Sequence, residues 1–247
     1  VNEGTKGLKT PDHYFRLRPF RSLFETGLPI LLYHKMGKAA LLDRRKGLFV
    51  SRHLFASQLS ELTQAGFGFG KLGDAYSTRK IVITFDDGYA TCFEQGIDVL
   101  ETFGCTAIQF LVSGRIGKAN DWDGTGEAMM DVSQVREWLG AGHQIGSHTV
   151  SHPDLTRLRL MDAREEIQAS RKWLEDSFGV PVSHFSYPLG AFNDRIVEIV
   201  AEAGYSTAVT SQFGVNDVGT DVHRLRRILA YRSLRESFRS LVRRDVR

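Results

Sequence analysis

The sequence predicts an α/β barrel. Short apolar runs alternate with longer amphipathic ones, several amphipathic runs end in a glycine just before the next apolar run, and seven such units fit within 247 residues. Repeated strand–helix units imply parallel strands with helices outside. Seven of them in one domain of this size favour a closed barrel over an open sheet.

The expected strands are 29–34, 80–85, 106–112, 143–147, 184–187, 206–210 and 225–230. The expected helices are 51–65, 90–103, 132–141, 159–178, 192–203 and 232–242. The helix over 159–178 is the clearest: Ile167, Ser170, Trp173, Leu174 and Phe178 recur at helical spacing, and Gly179 followed by Pro181 stops it. Trp138 and Trp173 fall on helix faces and read as core. Gly66, Gly104, Gly142, Gly179 and Gly204 stand where a left-handed C-cap belongs. Asp131 and Ser133 are cap candidates for the helix at 132. Residues 1–27 read as an N-terminal extension and 28–247 as one catalytic domain. Two long loops, 35–49 and 113–130, interrupt the pattern, and loops of that length in a compact domain are often functional.

Composition narrows the classes. A hydrophobic fraction of 42% and a charged fraction of 25% are those of an ordinary globular protein, with a core large enough to need no disulfide framework. Cys92 and Cys105 fit no metal spacing and read as buried free thiols. No apolar stretch approaches a membrane span. Val1 to Pro11 is polar and carries no signal-peptide pattern. The net charge of +3 says little, but arginines crowd the C-terminal end, from Arg224 to Arg247. That crowd reads either as a solvated helix face or as a contact for an anionic polymer or membrane surface. Basic and aromatic residues do not interleave around the motifs below, which argues against a nucleic-acid partner.

Two motifs carry chemistry. Thr84-Phe85-Asp86-Asp87-Gly88 ends an apolar strand. Adjacent carboxylates repel, and a bound cation removes that cost. Gly146-Ser147-His148-Thr149-Val150-Ser151-His152-Pro153 follows another short strand. Histidines four apart face one point if the chain makes a helical turn between them, and imidazole suits zinc and its neighbours. Asp87, His148 and His152 are the expected ligands of one divalent ion, zinc first, with cobalt and nickel suited to the same donors. Each motif alone has a bland reading, as a turn or as surface histidines; both at strand ends make the catalytic reading stronger. Trp122, with Asn120 and Asp123 in the second long loop, is open to two readings, stacking on a sugar or closing the loop by packing.

These residues resemble the polysaccharide deacetylases of the NodB-homology type, carbohydrate esterase family four, from about Leu28 to about Ala230. Thr84 to Gly88 is similar to the family's first motif, His148 to His152 to its second, and Phe185 to Gly190 to its third. The resemblance implies a distorted (β/α)7 barrel, Asp86 as base, Asp87 with the two histidines as metal ligands, and an acetylated oligo- or polysaccharide as substrate; the compartment stays open, with an extracytoplasmic or cell-envelope place slightly favoured by the resemblance. Two departures stand out. Ser186 occupies a position where the family commonly has the arginine that orients the base. The late Leu-x-His motif that supplies the acid is missing, while Leu32-Tyr33-His34 sits on the first strand, as in the permuted poly-N-acetylglucosamine deacetylases. His34 is therefore the expected general acid. Arg227 is the expected replacement for the arginine, since alternation puts Arg226 and Arg227 on opposite strand faces. The backbone N–H of Leu189 is a candidate oxyanion donor. Two other readings remain: a metal-dependent amidase or esterase on a non-saccharide acyl substrate, and a non-catalytic carbohydrate-binding relative.

Overall fold

A computed structural model describes residues 10–37 and 48–230. The expected helix over 232–242, and with it most of the arginine-rich end behind the membrane-surface reading, lies outside them. In chain order the elements are α1 (Arg21–Glu25), β1 (Ile30–Tyr33), β2 (Lys35–Met36), β3 (Phe49–Val50), α2 (Arg52–Gln64), β4 (Gly68–Gly70), β5 (Lys80–Phe85), α3 (Ala90–Thr102), β6 (Ala107–Leu111), α4 (Val132–Gly140), β7 (Gln144–Ser147), α5 (Leu160–Phe178), β8 (His184–Ser186), α6 (Asp194–Glu202), β9 (Thr207–Phe213) and β10 (Leu225–Leu229). The seven strands β1, β10, β9, β8, β7, β6 and β5 pair in that order, all parallel, and β1 pairs with β5 to close the barrel. The short β4 pairs with the first half of β5.

Local chemistry sets most boundaries. The glycines at 66, 104, 142, 179 and 204 all have positive φ, the left-handed conformation in which a helix ends without a Cβ penalty. Asp131 forms a capping box with Gln134 at the start of α4. Ser133 takes no part in that cap.

Strand alternation splits the apolar side chains into two cores. Leu31, Tyr33, Ile81, Ile83, Phe85 and Ile228 point outward into the helical layer, where Phe85 meets the rings of Tyr33, Phe55 and Trp138. Ile30, Val82, Ile108, Phe110 and Val209 form the second cluster, inside the barrel. Leu72, from the segment after β4, completes that cluster and is tied to Gln144 of β7 by hydrogen bonds of 3.1 and 3.2 Å. Residues 10–27 pack against the outer core: Tyr14, Leu17, Phe20 and Phe24 are buried, and the Tyr14 N–H donates to the Leu229 carbonyl at 2.8 Å.

Trp138 is buried as expected, but Trp173 is not: it is 40% exposed and edges onto Phe178. The buried stripe of α5 runs through Ala163, Ile167, Ser170 and Leu174, and Trp173 lies one residue, about 100° of rotation, off it. Among the described residues no helix is long and apolar enough to cross a membrane.

Two buried histidines in this framework bear on its pH range. His184 on β8 shares a hydrogen bond of 2.9 Å with Thr207 and a contact of 3.3 Å with the Gln144 amide, and His143 lies against Trp138. Burial lowers both from the ordinary 6.5 to about 4, with Lys71 adding to the effect at His143. A histidine depressed on folding contributes stability above its unfolded value, and that stability is lost as pH falls toward the folded one. Stability should therefore decline between about pH 6.5 and about 4, approaching about 2.7 kcal/mol per pH unit if both rings gain a proton on unfolding. Denaturant titrations across that range check this, and His184→Gln should flatten the slope.

Candidate active site

The site is built where the strand ladders end. The Asp86 N–H donates to the Tyr33 carbonyl at 3.0 Å, and the His148 N–H to the Leu111 carbonyl at 2.9 Å, the last bonds before each chain leaves the barrel. Asp87 then takes φ 74° and Gly88 φ 92°. A left-handed step at a non-glycine residue costs on the order of 1–2 kcal/mol, and here it separates two adjacent carboxylates onto different partners.

Asp86 points into the barrel and is almost fully buried. Arg227 of β10 meets it with two parallel bonds of 2.7 Å, one to each oxygen. Arg226, its neighbour, is exposed. The guanidinium is itself 1% exposed; it donates to the Thr210 carbonyl at 2.7 Å and to Thr84 Oγ1 at 3.2 Å. Ser186 bridges the pair, donating to Asp86 at 3.1 Å and accepting from Arg227 at 3.0 Å. The short side chain at 186 coexists with a guanidinium arriving from β10. Burial opposes ionisation of Asp86, but the Arg227 charge and hydrogen bonds override it and hold the carboxyl below its ordinary range.

Asp87, His148 and His152 converge. Asp87 Oδ1 lies 3.3 Å from Nε2 of each histidine, the three donor atoms fall within 4.8 Å of one another, and all three residues are buried. The path between the histidines is not the expected helical turn. Thr149 and His152 have φ of 70° and 63°, and the intervening amides are held from outside. Glu166 of α5 accepts from the N–H groups of Val150 and Ser151 at 2.9 Å and from the Ser151 hydroxyl at 2.6 Å. A carboxylate across the fold, invisible to local spacing, thus does what helical bonds would have done.

His148 Nδ1 is 2.7 Å from the Ser186 carbonyl. A carbonyl can only accept, so Nδ1 carries the proton and Nε2 is aimed at the Asp87 carboxylate. That bond fixes the ring and its tautomer in the manner of metal-ligating histidines. In the neutral ring, a lone pair faces a carboxylate oxygen, which repels unless a cation lies between them. Without a metal ion between them a proton is favoured in its place: burial notwithstanding, the imidazoles hold Asp87 well below its usual range, and Asp87 with Asp86 raises His148. The donor set, two nitrogens and one oxygen, fits a divalent ion of the zinc type with positions left open.

His34 is half-buried at the end of β1 and lines the same cavity of about 540 Å³ as Asp86, Asp87, His148, His152 and Leu189. Burial lowers its pKa, outweighing the attraction of Asp87 and Asp86. Cys92 of α3, buried and unoxidised like Cys105, donates its thiol to the His34 carbonyl at 2.8 Å. Leu189 lies in the left-handed region at φ 59°, in the turn after β8. Trp122 lies face to face with His152, centroids 4.5 Å apart at 21°, and also lines the cavity. The second long loop is a hairpin-like excursion, bridged at Ala119 and Ala128.

The profile of the polysaccharide deacetylases matches residues 73–208. YxkH of Bacillus subtilis is 26% identical over 204 residues, covering 81% of this chain and 70% of that protein. The poly-beta-1,6-N-acetyl-D-glucosamine N-deacetylase of Staphylococcus aureus is 25% identical over 201 residues, 70% of this chain and 68% of that one. The deacetylase PplD of Streptococcus pyogenes, solved with acetate, superimposes with a TM-score of 0.74 at 23% identity, over 83% of this chain and 92% of its own.

Removing Arg227 leaves a buried carboxylate without its counter-charge. Arg227→Met should cost about 3–5 kcal/mol in denaturant unfolding. Arg227→Met/Asp86→Asn should recover part of that loss, because it removes the orphaned charge as well. A single variant of near-wild-type stability would show that the pair is not what holds Asp86.

Proposed function

This chain belongs to the polysaccharide deacetylase family, and from that premise we propose that it is a divalent-metal-dependent hydrolase that removes acetyl groups from an N-acetylated carbohydrate. One observation carries the reading: three converging metal-type donors, Asp87, His148 and His152, share a cavity with an ionised, Arg227-held Asp86 and with His34. The Staphylococcus aureus relative is named for a substrate of the same class.

A zinc ion on these ligands, or cobalt or nickel in its place, would supply Lewis-acid polarisation of the acetyl carbonyl. Asp86 is the base. Its two bonds to Arg227 keep it ionised and fix the direction in which it accepts a proton from the attacking water. The Leu189 N–H, in the turn over the cavity, is a donor for the oxygen of the tetrahedral carbon. His34 hands a proton to the leaving nitrogen. Burial favours its neutral imidazole, so His34 takes a proton from solvent as negative charge builds on the substrate beside it and passes that proton to the leaving nitrogen, while the proton that Asp86 took from water returns to solvent.

Acetate release from a panel of N- and O-acetylated glycans, with and without added zinc, tests the function. Metal-stimulated release from N-acetylated oligosaccharides is expected; release only from a non-saccharide amide or ester would replace the carbohydrate reading. Asp86→Asn should keep its metal and lose most turnover, and a near-native rate would remove Asp86 from the role of base. His34→Ala should keep its metal content while the rate falls by roughly 10²–10⁴. Loss of the metal would make His34 a ligand instead, and an unchanged rate would put the acid elsewhere.

A further inference from the structure

Lys35 follows His34, and only 1% of its side chain is exposed. A buried ammonium is costly unless paired. Its Nζ lies 3.0 Å from Asp123, itself 1% exposed, pairs with Glu127 as well, and sits 4.5 Å over the ring of Tyr89. Both carboxylates belong to the hairpin excursion that carries Trp122, so the pair fastens that hairpin to the end of the first barrel strand. No step of the deacetylation uses Lys35.

Trp122, next to Asp123, is the residue stacked on His152. The two histidines are held differently. His148 has its second nitrogen bonded to the Ser186 carbonyl, whereas the buried Nδ1 of His152 has no hydrogen-bond partner among the described residues. Ligating imidazoles ordinarily owe their orientation to such a bond. At His152 an indole face stands against the ring instead.

We propose that Lys35 is a positioning residue for the metal site: its buried pair with Asp123 seats Trp122 on His152, and that stacking fixes the ligand in place of a hydrogen bond. The inference rests on the reading of Asp87, His148 and His152 as metal ligands.

Lys35→Met removes the charge and keeps most of the stem. Zinc affinity is read by competition with a chromophoric chelator, and the seating of Trp122 by the quenching of tryptophan emission when cobalt binds. Zinc affinity should fall about 10–100-fold and the cobalt quenching should shrink, while the circular dichroism of the metal-free protein stays that of wild type. Trp122→Ala should reproduce the loss, Trp122→Phe should restore most of it, and the Lys35→Met/Trp122→Ala protein should bind zinc no more weakly than Lys35→Met alone. If Lys35→Met does not fold, Lys35→Met/Asp123→Asn, which removes both buried charges, replaces it with the same expectation, and Trp122→Ala carries the test in either case. Zinc affinity unchanged in Lys35→Met or in Trp122→Ala, or losses that multiply in the double variant, overturns the proposal. Wild-type protein that takes up no zinc is a separate outcome: it overturns the metal reading itself.

Discussion

Two carboxylates stand side by side at the mouth of a closed barrel, and the guanidinium of Arg227 allows it. Unit charges about 4 Å apart interact by roughly 4 kcal/mol at the effective dielectric of a partly buried site. Asp86 and Asp87 would repel, and burial would push both toward the neutral acid. The structure separates them by a left-handed step at Asp87 and gives each its own positive partner. Asp86 receives a planar fork from β10, and Asp87 receives two imidazoles that favour a cation between them. A lysine could not replace the fork, because one ammonium cannot meet both carboxylate oxygens and the Thr210 carbonyl in one plane.

Around that pair, single residues serve several partners. Ser186 bonds Asp86 with its hydroxyl and His148 with its carbonyl. It links the two halves of the site through two atoms of one strand end, the hydroxyl and carbonyl oxygens. The arginine that the family commonly carries at this position is thus not simply lost. A guanidinium reaches the same carboxylate from two strands away, over the Thr210 carbonyl of the intervening β9. Barrel closure makes such an exchange possible, because inward positions on every strand converge on the same axis.

The walls of the cavity are fastened by charges that do no chemistry. Glu166 holds the loop between the histidines from the outer helix α5, and Lys35 holds the hairpin that carries Trp122. Both act on loop segments that lie outside the barrel ladder. A rim made of loops needs such fasteners, since it has no ladder of its own to keep ligands within the fraction of an ångström that coordination demands.

The strands, most helix ends and the convergence of Asp87, His148 and His152 could be read in the sequence, because each depends on short-range physics. Alternation marks the buried strands, a glycine with no Cβ ends a helix in the left-handed region, and Asp-Asp-Gly and His-x-x-x-His at strand ends place donor atoms close together in sequence. Even Arg227 was legible, through the departure at Ser186 and the alternation of β10. The fasteners were not. Trp173 looks like core by spacing alone, but the buried face of α5 runs through Ser170 and Leu174, one residue away. The turn between His148 and His152, the burial of Lys35 and the stacking of Trp122 depend on groups 15 to 88 residues distant in the chain. Local sequence carries the donors of this site, because their chemistry is intrinsic to the residue types. Their orientation was decided by the tertiary structure, because it depends on which distant charges the closed barrel brings within hydrogen-bonding reach.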